Sequence, residues 1–160
     1  MVDGKNQTAA EVSEMLLEAT RVALFSGDFD AFAACFHLPH HMASAEDEKV
    51  LKTRDDLHDV FLNVTADLAR RRITNLVRVC EVAEYSSATS IKATHMTHLM
   101  SGSQRVNSPY PSLSIIELID GRWKVAASQY DVDKTTMVGR ALDAQRAAPR
   151  QTPTQVRNVI

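Results

Sequence analysis

His37, His40 and His41 crowd around Pro39, and His95 and His98 stand three apart in a later apolar segment. Imidazole is the side chain whose charge changes between about pH 5 and 8, so these groups are the natural material for an acid or base near neutrality. A metal centre built from them would need a further ligand at fixed geometry. Pro39 keeps His37 and His41 off a common helical face, and no metal or other cofactor is expected. On a strand, His95 and His98 point to opposite sides. Cys35 and Cys80 sit among apolar neighbours without CxxC spacing, and read as small buried hydrophobes in a reducing compartment.

Helices come first along the chain. Residues 1–7 are polar and expected to be flexible. Thr8-Ala-Ala-Glu11 has the form of a capping box, Val12, Met15, Leu16, Ala19, Val22 and Ala23 recur at helical spacing, and Gly27 offers a left-handed stop. Asp28 can cap a short second helix with Phe29, Phe32, Ala33 and Phe36 on its apolar face, ended by Pro39. Residues 40–52 read as one or two short strands around the acidic turn at Glu46. Thr53 opens a third helix bearing Leu57, Val60, Phe61, Val64 and Leu68. Arg70-Arg71-Arg72 closes it, where cations favour the negative end of the helix dipole.

From Ile73 the period becomes that of strands. Asp120-Gly121 suits a two-residue type I′ turn, which sets Ile119 opposite Arg122, Leu118 opposite Trp123, Glu117 opposite Lys124 and Ile116 opposite Val125. Ser114, Ile116, Leu118, Trp123, Val125 and Ala127 then share the core face. An earlier hairpin, turning at Ser86-Ser87, sets Glu81 opposite Lys92, Asn75 opposite His98 and Arg78 opposite His95. Two parities are open. Ile73, Val77, Val79, Met96 and Met100 share the His98 face, which favours His98 with Asn75 as the polar groups of an interior pocket. With the parity reversed, Arg78 and His95 face inward and suit an anionic ligand.

The order of elements, with the phrases Ala23-Leu-Phe-Ser-Gly-Asp-Phe-Asp30, Ile73-Thr-Asn75, Ala88-Thr89 and Asp120-Gly-Arg-Trp-Lys-Val125, resembles the NTF2-like superfamily and its SnoaL-like branch over about residues 8–132. The resemblance implies an α+β cone, a curved and mainly antiparallel sheet wrapped over three N-terminal helices, with a pocket between the layers. It also implies a dimer in many members and a range of isomerases, cyclases, dehydratases and non-catalytic modules. The isomerases' catalytic Asp falls near Ser44 or Ala45, neither of which is a carboxylate. No Asp occurs between Ile73 and Ile119 to serve as a cyclase acid, and Asp131 has no evident partner.

The functional expectation is therefore a small-molecule-binding protein with an apolar pocket and His98 or His40 as acid/base. Phe32, Met42, Phe61, Asn75, Val77, Met96, His98, Tyr110 and Trp123 are the candidate lining. The alternative is a non-catalytic binding or dimerisation module. Its partners are a small apolar or amphipathic molecule and a second copy, joined through outward aliphatics that include Leu76, Val82, Ile91, Leu99, Leu113, Ile115, Ile119 and Ala126. The net charge of −2 gives no reason to expect nucleic acid. Without a leader or a run of about 18 apolar residues, no membrane span and a cytoplasmic location are expected. Residues 8–133 form the domain, and 134–160 a basic, partly disordered tail with a weak helix near Met137–Gln145.

Overall fold

The structure, a computed structural model, describes residues 6–43 and 48–130. Helix α1 spans Ala9–Ser26; the Thr8 hydroxyl accepts the Glu11 N–H at 3.1 Å, and Gly27 stops the helix at φ +71°. Helix α2, Phe29–Ala33, is capped by Asp28. Helix α3, Arg54–Arg70, opens on a full reciprocal box in which Thr53 and Asp56 each accept the other's N–H at 3.1 Å. At its far end Arg70 and Arg71 both pair with the buried Asp67.

The strands are β1 Phe36–Ala43, β2 Glu48–Leu51, β3 Asn75–Ser87, β4 Ser90–Ser101, β5 Gln104–Arg105, β6 Tyr110–Ile119 and β7 Arg122–Tyr130. They form one curved, unclosed sheet in the order β2-β1-β7-β6-β4-β3, with β5 on β4. Among the described residues only β1 and β7 run parallel, and every other pair is antiparallel. The helices cover one face. Val12, Leu16, Leu57, Val60, Phe61 and Val64 meet Leu76, Ile91, Ile116 and Val125 in a single core. This is the α+β cone that the sequence suggests. Among the described residues no helix is long and apolar enough to cross a membrane.

The last hairpin has the expected register from Ile119–Arg122 to Ile116–Val125, with Asp120 at φ +50° and Gly121 at φ +77° in the turn. A bulge then leaves Ala126 unpaired, so Ile115 meets Ala127 and it is Ser128, not Ala127, that turns into the core. The earlier hairpin turns at Ala88-Thr89 rather than Ser86-Ser87, because the Ser87 hydroxyl accepts the Thr89 N–H and organises the tighter loop. Lys92 therefore opposes Glu84, not Glu81, and Val77, not Asn75, opposes His98. Pro39 does not end α2. It lies within β1, in the stretch between the Phe36 and His41 pairings to β7, where no ladder N–H is required of it.

The parity favoured for β3 and β4 is reversed. Leu76, Arg78, Ile91, His95, Thr97 and Leu99 are buried, whereas Val77 and Val79 are exposed on the other face with Met96, His98 and Met100. Leu76, Ile91 and Leu99 are thus core residues and not part of an outer association face. Ile73 misled the count because it is buried ahead of β3, held by its N–H to Leu68, and does not share the strand's alternation. Ser44, Ala45, Glu46, Asp131 and residues 134–160 with their expected helix lie outside the described residues.

Candidate functional site

Most of the core face is aliphatic or aromatic, but its centre is polar. Arg78, Thr97 and Tyr110 lie side by side on one rung across β3, β4 and β6. His95 and Ser112 form the neighbouring rung, and Ser114 pairs with Ser128 on β6 and β7. Helix α1 turns Ser13 and Thr20 toward this belt, and both are buried.

Arg78 is withdrawn from solvent. Its Nη2 donates to the Leu17 carbonyl at 2.8 Å and to Thr20 Oγ1 at 2.7 Å, tying β3 to α1. Burial lowers its pKa to about 10, which still leaves the guanidinium charged at neutral pH. His95 is 4% exposed, and its Nε2 meets no protein hydrogen-bond partner; neither does Ser112 Oγ on the same rung. Burial, reinforced by the Arg78 charge, pushes the His95 pKa down to about 3, so the ring is neutral. Tyr110, on the same rung as Thr97, is pushed up to about 12, chiefly by burial, and is a neutral phenol.

His40 has a different setting. Its Nδ1 bonds the Val125 carbonyl at 3.2 Å, so Nδ1 carries the proton and Nε2 accepts from the Ser128 hydroxyl, also at 3.2 Å. Phe36 stands edge-on to the ring, and burial lowers its pKa to about 4. Both nitrogens are engaged in joining β1 to β7, whereas His95 has one nitrogen available.

A cavity of about 30 Å³ lies against this belt, bounded by Ser13 and Thr20 of α1 and by Arg78, His95, Ser114 and Ser128 of the sheet. Phe36, Ile116 and Val125 close its apolar side, and among the described residues no carboxylate lines it. The volume suits one or two waters or a single polar group.

Among the residues singled out from sequence, Phe32, Met42, Phe61 and Trp123 are buried in the core, with Phe32 stacked between Phe36 and Phe61. Tyr110 is buried beside Arg78, and Asn75 is half-buried at the start of β3. Val77, Met96 and His98 face away from the cavity. Ser13, Thr20, Thr97, Ser112 and Ser128 were not anticipated. Serine and threonine at inward strand positions were the available signal for Thr97 and Ser112; Ser13 and Thr20 lie on α1, and the orientation of Ser128 depends on the bulge. Among the described residues no three of His, Cys, Asp and Glu group together to hold a metal ion.

No protein-family model matches the chain, and no curated protein does. Solved structures do. An NTF2-like protein of unknown function from Shewanella oneidensis superposes with a TM-score of 0.58 at 13% identity, covering 74% of this chain and 95% of its own. A cystatin-like-fold domain from Nostoc punctiforme gives 0.60 at 15% identity, covering 90% of each chain. A candidate scytalone dehydratase from Novosphingobium aromaticivorans gives 0.53 at 12% identity, covering 76% of this chain and 82% of its own. Helices, strand order and these superpositions agree: the chain has the NTF2-like fold.

Proposed function

We propose that this protein binds a small organic anion with its charged head in the polar interior between α1 and the sheet. Arg78 supplies the counter-charge, and the neutral imidazole of His95 takes or returns a proton. The observation that carries this reading is His95 Nε2, buried and without a protein partner, in the same cavity as the Arg78 guanidinium. An unmet buried polar group costs about 1–3 kcal/mol. A polar ligand group placed in the cavity relieves it.

That pairing suits proton transfer at a carbon beside a carbonyl or carboxylate. His95 removes the proton, and Arg78 stabilises the negative charge that develops on oxygen. Isomerisation and dehydration are reactions of this class, and the likeness to a candidate scytalone dehydratase is in keeping with it. The second reading is a binding module without catalysis. It is favoured by the lack of a carboxylate among the cavity residues to orient the imidazole.

Thermal melting with a panel of small 2-oxo and 3-oxo carboxylates tests the binding. At least one should raise the melting temperature of the wild-type protein. Arg78→Met, which also loses the hydrogen bonds to Leu17 and Thr20, should melt below the unliganded wild type and should show no ligand-induced rise. If no carboxylate stabilises the wild type, Arg78 is only a tie between α1 and β3. Exchange of the carbon-bound proton of a stabilising carboxylate in D2O, lost in His95→Ala, separates the enzyme from the module.

A further inference from the structure

A groove of about 380 Å³ runs between α1 and β3, walled by Glu14, Leu17, Glu18, Arg21, Asn75 and Arg78. Leu17 and Arg78 also line the interior cavity, so groove and cavity share these two residues. The cavity, at about 30 Å³, has room for the head of an organic anion and not for its body. The groove has the volume of a small-molecule site.

Its chemistry is mixed. Arg21 makes a two-pronged pair with Glu18, at 2.7 and 2.9 Å, and reaches Asn75 Oδ1 at 3.5 Å. Glu14 accepts the Cys80 N–H at 3.0 Å, occupying a donor of the edge strand. The side chains of Glu18 and Arg21 are 61% and 34% exposed, and an exposed pair of this kind is weak. Leu76 and Val77 complete the lining, but most of these walls are polar and offer both donors and acceptors, which matches hydroxyl groups better than an alkyl chain.

We infer that the groove is the port and outer half of the binding site, and that its ligand is an elongated, hydroxylated carboxylate. The carboxylate passes Leu17 to meet Arg78, while the polar body rests against Arg21 and Asn75. This rests on the reading of the interior as an anion site, and the test keeps the two apart.

Gluconate, acetate and hexanoate serve as probes, with affinities from calorimetry and the Arg78 Nε–H resonance followed by NMR. Gluconate should bind wild-type protein at least tenfold more tightly than acetate or hexanoate. Asn75→Trp, which fills the groove from a half-buried position, should bring gluconate down to the acetate level and leave acetate unchanged. Arg21→Ala, at the solvent edge, should weaken gluconate several-fold with acetate again unchanged, and serves if Asn75→Trp does not fold. Arg78→Met should lose all three. If gluconate binds no more tightly than acetate, or binds both groove variants as it binds wild type while still requiring Arg78, the groove inference is overturned and the interior site stands. If no probe moves the Arg78 resonance, or Arg78→Met binds as wild type does, the interior reading itself fails and takes the groove with it.

Discussion

His40 and His95 are held neutral by burial, with pKa values of about 4 and about 3, whereas an unfolded histidine titrates near 6.5. Between those limits the unfolded chain binds more protons than the folded one, so stability rises with pH across the window and is lost as pH falls from about 6.5 toward 4. Each ring contributes a slope of up to about 1.4 kcal/mol per pH unit. Urea midpoints measured from pH 7.5 to 4.5 should therefore drop steeply below pH 6.5, and His95→Gln should flatten the drop. A curve with no fall between pH 6.5 and 5 would contradict the neutral, buried state of both rings. A bound anion changes the balance at one of them. It offsets the Arg78 charge that, after burial, helps depress His95, and so raises the ring's pKa.

At the scale of elements, the final hairpin and the helix caps were legible because short-range chemistry decides them. Asp120-Gly121 accepts the positive φ angles, and Thr53 and Asp56 satisfy each other's N–H groups. The hairpin makes Trp123 the large inward anchor of β7, 7% exposed and edge-on to Tyr85 at 6.0 Å. Trp123→Ala should cost about 3–5 kcal/mol, read as a fall in the urea midpoint with an unchanged m-value. A loss under 1 kcal/mol would mean that the indole contributes little packing. The β3–β4 hairpin was less legible because both of its faces are apolar in similar measure. Val77, Val79, Met96 and Met100 on one face compete with Leu76, Ile91 and Leu99 on the other. The deciding residues, Arg78, His95 and Thr97, are polar ones that face inward around a cavity, against the rule that alternation relies on. Bulges at Ala126 and near Glu81 then moved Ser128 inward and Val82 outward, and nothing in the local sequence marks either.

For the whole molecule, the reversed parity relocates the surface on which two copies would meet. Among the described residues the helices cover only the inner face of the sheet. On its outer face Val79, Met96 and Pro111 lie on one rung, and Val82, Thr94 and Leu113 on the next. Val77, Val79 and Val82 are 37%, 49% and 62% exposed, so this side of an edge strand offers branched aliphatics to water in a row. Contiguous apolar surface of this kind marks an interface more often than a bare exterior. A two-fold pairing would set each patch against its own copy. Glu84 opposite Lys92, beside Ile115 on the following rung, places a charge pair at the margin of the patch. The expectation is a homodimer through Val79, Met96 and Leu113 rather than through Leu76, Ile91 and Leu99, which the core already uses. Light scattering should give twice the chain mass for the full-length protein. Val79→Lys, at a site half open to solvent, should halve that mass while leaving circular dichroism unchanged. A wild-type monomer, or a Val79→Lys protein that still pairs, would remove the outer face as the contact surface.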